Sequence, residues 1–500
     1  MRTLSIKYLA LGWALVLFFS SCKKFVDADT PDNQLTASTV FATNATALGA
    51  MTGLYSSMMS NTILLTAYSS MPALSADELQ SYSTDAQTVQ LYSNSISLSS
   101  NTTDYLWTRA YPLIYMANAA IQGVQQSTSL TTPVANQVLG EAEFMRAFFY
   151  FNLVNEYGGV PLVTTTNYVT NESVARSTVQ EVYAQIISDL QDAQNRLTGN
   201  YMDGTGAVTT NRIRPNQAAA TALLARAYLY TGNWAGADSA ATVVINNTGQ
   251  YSLDSLNSVF LAGSTEAIFQ LQPGGIGGLN TPEGYWYILS ADPASFSTAT
   301  QGKMATISTS LLNAFEPGDN RAVDWVGVFT DSTTTPATNY YFPYKYKLGN
   351  YGNASITEYS MVLRLAEQYL IRAEAEIEQG QTGAGIADLN VLRNRARGAA
   401  TLAVPNPLPP LSGGLSKTDA MAALVQERRI ELFSEFGHRW YDLKRMPGLS
   451  NPSGSLADEV MPAATAAKGG TWNDEWELYP VPLTDMETDP KLVQNPGYQQ

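Results

Sequence analysis

The sequence predicts a mainly α-helical protein in which tetratricopeptide-like helix pairs cradle an irregular, loop-rich part with a few short strands. Three observations predict this fold class. Apolar residues recur at helical spacing over several long segments, and small residues occupy the close-packing positions of two helix pairs. Residues 248–357 instead combine Gly, Ser, Thr and Asn with many aromatic residues. With 500 residues, of which 45% are hydrophobic, the chain can bury a large core without disulfides.

Residues 1–21 have the pattern of a lipoprotein signal peptide. Two basic residues precede an apolar run over 8–19, which is too short to span a bilayer as a helix. Small residues then precede Cys22, an order that resembles the bacterial lipobox, in which cleavage leaves the cysteine as the first mature residue and the lipid acceptor. We therefore predict lipidation at Cys22 and a polar tether over 22–36.

The charge and the rare residues exclude several functional classes. The chain has 28 Lys and Arg against 43 Asp and Glu, a formal net charge of −15, so the phosphate neutralisation on which nucleic-acid binding depends is not expected. One Cys and one His are too few for the zinc sites of hydrolytic enzymes. We predict no cofactor, no metal-binding residues and no nucleic-acid partner. An oxygen-ligand calcium site stays an open alternative, although no EF-hand spacing is present.

An N-terminal helical region is predicted over residues 37–247. Two long segments, 104–126 and 136–157, repeat apolar residues at helical spacing and are expected to form a helical hairpin. A capping box, formed by Ser177 with Gln180 or by Thr178 with Glu181, predicts the start of a further helix. Residues 215–246 place Ala, Gly and Tyr at the small and aromatic positions of a tetratricopeptide helix pair.

A loop-rich insertion over residues 248–357 is the predicted ligand region. It contains strand candidates at 267–272 and 342–347 and a helix near 304–315. Loops on this scale in a compact protein are usually functional.

A C-terminal region is predicted over residues 358–500. Its segment 358–398 repeats the tetratricopeptide pattern, and Ser416 with Asp419 can cap the last long helix. The two tetratricopeptide-like segments are therefore separated by the insertion.

The segment 427–445, ERRIELFSEFGHRWYDLKR, is interpreted as one helix devoted to packing and salt bridges. Glu435 is spaced to reach Arg439 one turn later. His438 is the single imidazole, and since the chain contains no GxSxG elbow, a Ser/His/Asp triad is not predicted. Four apolar residues of the segment are spaced to face a core: Ile430, Phe433, Phe436 and Trp440.

Three motifs together resemble the SusD/RagB family of outer-membrane, nutrient-binding lipoproteins. They are the segment 427–445, the sequence QNPGY at 494–498, and GEAEFMRAFFYFNLVNEYGGVPL at 140–162. The resemblance implies a SusD-like fold without catalysis, in a lipoprotein that is anchored in the outer membrane and faces the cell exterior. It also implies that the protein captures an oligosaccharide, a polysaccharide or another nutrient and delivers it to a TonB-dependent SusC-like transporter for import.

Two loop-like regions place aromatic side chains beside polar ones, a combination that suits the apolar faces and hydroxyl groups of sugars. One is 77–101, and the other is the insertion, which also contains Phe296. From them we predict seven glycan contacts: Tyr82, Tyr92, Asn94, Tyr285, Trp286, Tyr287 and Trp325. Four aromatic residues on periodic helices are instead assigned to the core: Trp107, Tyr111, Tyr115 and Trp440.

Two alternatives stay open at this point. A secreted glycoside hydrolase needs two carboxyl groups on either side of the scissile bond, and Asp77 with Glu78 or Asp474 with Glu475 could supply them. The other alternative keeps the fold and replaces the glycan by a peptide or another nutrient.

Overall fold

The computed structural model shows a mainly helical protein. It describes six stretches of the chain: residues 37–60, 62–98, 103–274, 280–296, 303–349 and 355–498. The predicted signal peptide, the tether and Cys22 lie outside the described residues. Within these six stretches, no helix combines the length and the apolar character needed to cross a bilayer.

Long helices build the N-terminal region. In chain order they are α1 (Ala37–Val40), α2 (Asn44–Ser60), α3 (Thr62–Ser75), α4 (Ala86–Tyr92), α5 (Asp104–Gln126), α6 (Thr132–Tyr157), α7 (Tyr168–Asn171), α8 (Val179–Arg196), α9 (Gln217–Tyr230) and α10 (Trp234–Ile245). Helix α6 packs on α5 and α8, and α9 packs on α8 and α10. The predicted helical hairpin is confirmed as α5 and α6, with the bounds of α5 as predicted.

The remaining helices lie in the insertion and the C-terminal region. They are α11 (Pro282–Tyr287), α12 (Thr309–Leu312), α13 (Arg321–Asp324), α14 (Leu365–Glu378), α15 (Thr382–Ala396), α16 (Lys417–Leu432), α17 (His438–Arg445), α18 (Leu456–Ala467) and α19 (Leu483–Thr488), with 3-10 turns at Pro293–Ser295 and Asp474–Glu477. Helix α14 packs on α10, α15 and α16, so it joins the two helical regions.

Local sequence determines several helix ends. The Thr178 hydroxyl accepts a hydrogen bond from the backbone of Glu181, whose carboxylate accepts one from the Thr178 backbone at 2.8 Å. Of the two predicted capping boxes, the one at Thr178 and Glu181 is therefore confirmed. Gly158 ends α6 with a φ of 72°, a conformation in which glycine carries no Cβ penalty. Ser416 caps α16 through the backbone N–H of Asp419.

The tetratricopeptide-like pairs are α9 with α10 and α14 with α15. Each pair depends on a small residue at the point of closest approach. A Cβ added at Gly385 would lie 2.6 Å from the carbonyl oxygen of Ala373, and one added at Gly236 would lie 2.9 Å from the ring of Tyr228. Small residues therefore let the helices of each pair close on one another.

Within the described residues, eight short strands form four two-stranded antiparallel sheets. They are β1 (Leu79–Ser81) with β5 (Ala305–Ile307), β2 (Tyr201–Met202) with β3 (Val208–Thr209), β4 (Ala267–Leu271) with β8 (Ser360–Arg364), and β6 (Val326–Asp331) with β7 (Thr338–Pro343). The strand predicted at 267–272 is confirmed as β4. The strand predicted at 342–347 is wrong for most of its length, because β7 ends at Pro343. The helix predicted near 304–315 is reduced to α12, because β5 occupies its first part.

The helix predicted over 427–445 is interrupted. Residues 433–437 separate α16 from α17. Ser434, Phe436 and Gly437 have φ angles of 56°, 38° and 72°, which lie outside helical geometry. The interpretation of the segment as one helix is therefore wrong. Its four apolar residues nevertheless lie in the core as predicted: Ile430, Phe433, Phe436 and Trp440.

The interruption also changes the ion pairs of this segment. Glu435 binds Lys345 and Arg364, whereas Arg439 binds Asp77 at 2.7 Å. The predicted pair of Glu435 with Arg439 is wrong because the two residues do not share a helix. The broader prediction, that the segment supplies packing and salt bridges, agrees with these contacts.

Candidate ligand-binding surface

The two regions with predicted ligand contacts meet through the β1–β5 sheet. Ser81 pairs with Ala305 at the end of this sheet. The next residue, Tyr82, donates its backbone N–H to the carbonyl oxygen of Met304 at 2.7 Å. The sheet therefore places Tyr82 directly beside the insertion.

Tyr82 packs against Tyr340 of β7. Their ring centroids are 5.7 Å apart and their planes are inclined at 81°, an edge-to-face arrangement. The carboxylate of Asp292 also acts on the Tyr340 phenol. Desolvation and this carboxylate raise the pKa of Tyr340.

Lys303 connects two further aromatic residues. Its Nζ lies 5.2 Å from the ring centroid of Tyr285 and 5.9 Å from that of Phe296, which is the range of a cation–π interaction. Because Lys303 directly precedes Met304, this group adjoins the Tyr82 backbone.

Short local contacts hold the two segments that carry these rings. At the start of α11, the Thr281 hydroxyl accepts a hydrogen bond from Gly284 at 3.1 Å. A Cβ at Gly284 would lie 2.4 Å from the carbonyl oxygen of Leu348, so glycine allows α11 to approach that chain closely. Asp292 accepts a hydrogen bond from Ala294 at 2.9 Å and begins the 3-10 turn before Phe296.

Six residues, each half-buried, make up what we call the aromatic surface: Tyr82, Tyr285, Asp292, Phe296, Lys303 and Tyr340. Its rings offer apolar faces, while its phenols, carboxylate and ammonium offer hydrogen-bond donors and acceptors. Such a surface can bind a sugar through both its C–H faces and its hydroxyl groups. Trp286 is also half-buried and follows Tyr285 in α11.

Tyr92 and Asn94 do not join the aromatic surface, because they are buried, with exposed fractions of 7% and 3%. Asn94 donates to the carbonyl oxygen of Ser75 at 3.0 Å, and Lys468 Nζ lies 5.2 Å from the Tyr92 ring. Lys468 also binds carbonyl oxygens at the end of α3. We therefore correct the role of Tyr92 and Asn94 from ligand contact to support for the end of α3.

Tyr287 and Trp325 are buried as well, with exposed fractions of 5% and 0%. The Trp325 indole N–H donates to the carbonyl oxygen of Leu256 at 2.9 Å. Lys345 Nζ lies 4.7 Å from the centroid of the Trp325 ring. The predicted ligand role of these two residues is corrected, since both side chains lie inside the protein.

The four aromatic residues assigned to the core differ in their burial. Trp107 and Trp440 are buried as predicted. Tyr111 is half-buried and donates its hydroxyl to the carbonyl oxygen of Pro161 at 3.0 Å. The assignment of Tyr115 is wrong, because it is 52% exposed and lines an apolar groove of about 690 Å³ between α2 and α5.

The acidic pair Asp77 and Glu78 lies in the interior. Burial alone would raise the pKa of Asp77, but the guanidinium groups of Arg439 and Arg429 hold it well below its usual range. Burial raises the pKa of Glu78 to about 8. His438 is also buried, and burial lowers its pKa well below its usual value. In the six described stretches, no group of three or more His, Cys, Asp or Glu side chains is arranged to hold a metal ion.

Four members of the aromatic surface were not among the seven predicted contacts: Asp292, Phe296, Lys303 and Tyr340. Phe296 was noted only as an aromatic residue of the insertion. Tyr340 begins the run YYFPY at 340–344. Because side chains alternate between the two faces of a strand, this run indicates that some of its rings face away from the core. Asp292 precedes a proline, which is typical of turns. No local sequence pattern indicates that Lys303 belongs to the surface, because its aromatic partners come from two other segments.

Comparison with known proteins agrees with this architecture. Residues 24–229 match a family model described as starch-binding associating with outer membrane, and residues 296–498 match the model of the SusD family. SusD-like protein P2 of Formosa agariphila is 30% identical over 431 residues, which cover 78% of this chain and 80% of the relative. This chain belongs to the SusD family. The membership implied by the three sequence motifs is thereby confirmed.

Solved structures support the same fold for this SusD family member. A SusD superfamily protein from Bacteroides vulgatus has a TM-score of 0.74 at 21% identity, over 92% of this chain and 100% of its own. A SusD-like carbohydrate binding protein from the same species has a TM-score of 0.64 at 20% identity, over 81% of this chain and 83% of its own. At such identities the structures establish the fold, and the predicted mainly helical, SusD-like fold class is confirmed.

Proposed function

We propose that this SusD family member is a non-catalytic lipoprotein that binds an oligosaccharide or polysaccharide and delivers it to a TonB-dependent SusC-like transporter. The observation that carries the proposal is the aromatic surface in a chain of this family. The description of one matching family model as starch-binding, and of one structural relative as carbohydrate binding, supports a glycan as the ligand.

The proposed binding mode uses the rings as platforms and the polar groups as hydrogen-bond partners. Tyr82 and Tyr340 form a ring pair, and the rings of Tyr285 and Phe296 both lie near the ammonium group of Lys303. Asp292 can accept hydrogen bonds from sugar hydroxyls. Trp286, which the sequence already predicts as a contact, stays among the proposed contacts because it is half-buried beside Tyr285.

The absence of catalysis is part of the proposal. Glycoside hydrolysis needs two carboxyl groups placed on either side of the glycosidic bond. Among its six residues the aromatic surface has one carboxylate, Asp292, which already accepts a hydrogen bond from the backbone of Ala294. The buried Asp77 is committed to two guanidinium groups.

Anchoring at the outer membrane is proposed through Cys22. The apolar run and the small residues that precede Cys22 support lipidation. Stable anchoring takes more than one acyl chain, and a multiply acylated cysteine would supply it. In this arrangement the folded body lies on the exterior of the cell, where it can pass its ligand to the transporter.

Binding to the aromatic surface is tested by calorimetry on the purified mature chain with a panel of oligosaccharides. We expect Tyr285→Ala and Trp286→Ala each to weaken binding about tenfold or more, as loss of an aromatic contact at a binding centre does. Tyr115→Ala is the matched control, since Tyr115 is 52% exposed outside the aromatic surface. A reducing-sugar assay is expected to show no new chain ends.

If all three variants bind the oligosaccharide as tightly as wild type does, the binding site lies elsewhere on the protein. Reducing ends that accumulate with wild type and disappear when one acidic pair is mutated would identify a hydrolase. Binding of peptides with no glycan bound would reassign the ligand.

A further inference from the structure

Lys303 differs from the other lysines that the structure describes. Three of them pair with carboxylates: Lys345 with Glu435, Lys417 with Glu378, and Lys444 with Glu156. Three others donate to backbone carbonyl oxygens: Lys347, Lys468 and Lys491. Among these seven described lysines, Lys303 alone has aromatic rings as its only recorded partners.

This arrangement is notable because the chain is acidic. With 43 Asp and Glu against 28 Lys and Arg, carboxylates are the commoner charged groups. The carboxylate of the aromatic surface, Asp292, accepts a hydrogen bond from the Ala294 backbone. Ring faces attract a cation and orient it, but they do not neutralise its charge. Lys303 therefore presents a positioned positive charge with N–H donors to spare.

We propose that Lys303 forms a subsite for an anionic substituent of the glycan, either the carboxylate of a uronic acid or a sulfate ester. This proposal rests on the proposed function and deepens it by naming the ligand class. Both substituents accept charge-assisted hydrogen bonds from an ammonium group. Because the rings of Tyr285 and Phe296 flank the ammonium, they exclude part of its water, which strengthens an ion pair formed there.

The other members of the aromatic surface then bind the neighbouring sugar unit. Asp292 repels an anion and attracts hydroxyl donors, so it favours an uncharged part of the ligand near Tyr340 and Tyr82. The two charges of the surface thus specify an order along the glycan, with the acidic substituent at Lys303 and hydroxyl groups at Asp292.

The experiment measures the coupling between Lys303 and the anionic group. The uronate arm uses alginate and polygalacturonate oligosaccharides together with their carboxyl-reduced forms. The sulfate arm uses carrageenan oligosaccharides together with their desulfated forms. Calorimetry is carried out on wild type, Lys303→Met, Lys303→Arg and Lys417→Met, with thermal unfolding as the check that each variant is folded.

Wild type is expected to bind the acidic form of one arm about fivefold more tightly than its neutralised form, the range of a partly exposed ion pair. Lys303→Met is expected to bind both forms within about twofold, which is the signature of a pairwise coupling. Lys303→Arg keeps the charge and retains the preference. Lys417→Met makes the same charge change at an exposed ion pair elsewhere and also retains it.

The possible failures are distinguishable. If wild type binds the acidic and neutralised forms equally, or if Lys303→Met weakens both forms by the same factor, the anionic subsite is overturned while glycan binding stands. If wild type binds a neutral glycan but none of the acidic forms, the anionic subsite is likewise overturned while glycan binding stands. If no glycan of either kind binds, both the proposed function and the proposed subsite are wrong.

Discussion

At the scale of single residues, Glu78 is a buried carboxyl group whose surroundings favour its neutral form. It is 3% exposed, and the backbone N–H of Ser434 lies 3.3 Å from both of its oxygens. Burial and the adjacent carboxylate of Asp77 raise its pKa to about 8, while Arg439 and Lys345 offset only part of the shift. The folded protein therefore holds a proton on Glu78 at a pH where the unfolded chain has lost it.

The sign of the resulting pH dependence follows from linkage. Because the folded pKa is raised, the contribution of Glu78 to stability is fully present below its ordinary pKa, near 4.3 in model peptides, and is lost as pH rises to about 8. We expect Glu78→Gln to reduce the fall in melting temperature between about pH 5 and about pH 8.5. Glu172→Gln, at an exposed carboxylate, is the control. Identical pH profiles for wild type and Glu78→Gln would contradict the prediction.

Tyr82 and Tyr92 show why the sequence alone cannot predict which aromatic residues belong to the site. Tyr82 and Tyr92 share one polar, aromatic-containing segment, yet Tyr82 joins the aromatic surface and Tyr92 is buried. The difference comes from Lys468, which packs over the Tyr92 ring from a distant part of the chain. Composition indicates a loop that can bind sugar, but partners distant in sequence decide which of its rings face solvent.

At the scale of elements, the interruption between α16 and α17 depends on Gly437. Its φ is 72°, and an added Cβ would lie 3.0 Å from the Tyr441 ring and 3.3 Å from Pro72. The periodic pattern continues through the interruption because the apolar residues on both sides of it are buried, Ile430 and Phe433 in one cluster and Phe436 and Trp440 in another. Periodicity therefore predicted which residues are buried, while the glycine was the only local indication that the helix ends.

Two glycine substitutions are expected to have opposite effects. Gly437→Ala is expected to lower the free energy of unfolding by about 1–2 kcal/mol, because alanine is strained at positive φ and its Cβ crowds the neighbours. Gly49→Ala is expected to raise it by about 0.5–1 kcal/mol, since Gly49 lies inside α2 and an added Cβ meets nothing within 4 Å. Urea denaturation of both variants measures the two values. The prediction is wrong if both changes have the same sign.

At the scale of the whole molecule, a buried ionic cluster joins the insertion to the C-terminal region. Arg321 of α13 binds Glu427 and Glu431 of α16, at 2.5 Å and 2.9 Å. Arg364 of β8 binds Glu431 at 2.6 Å and Glu266 at 3.0 Å. All five side chains are at most 2% exposed. The loop segments that lead to the aromatic surface are thus tied to the helical scaffold by charge as well as by apolar packing.

This cluster explains why the helical regions could be predicted and the insertion could not. Helical periodicity is a local property, so α5 and the tetratricopeptide-like pairs can be read from neighbouring residues. The insertion is organised by long-range contacts such as Arg321 with Glu431 and Tyr82 with Tyr340. No single segment carries both members of such a contact. Local patterns therefore predicted a helix over 304–315, of which only Thr309–Leu312 is helical and Ala305–Ile307 is a strand.

Glu431 tests how much the ionic cluster stabilises the protein. Burial alone would raise its pKa, but Arg395, Arg364 and Arg321 hold it well below its usual value. Glu431→Gln removes the carboxylate that three buried guanidinium groups share and leaves each with fewer counterions, which is expected to lower the free energy of unfolding by about 3–5 kcal/mol. Glu378→Gln removes one partner of the exposed pair with Lys417 and is expected to cost less than about 1 kcal/mol.

Chemical denaturation at neutral pH measures this difference, and acidic pH provides a second check. Since the folded pKa of Glu431 is depressed, its contribution is present above its ordinary pKa and is lost as pH falls further. The difference in free energy of unfolding between wild type and Glu431→Gln is therefore expected to decrease in strong acid. The difference between wild type and Glu378→Gln is expected to stay small at every pH. Equal stability of the two variants at neutral pH would show that apolar packing, and not the cluster, holds the insertion on the helical scaffold.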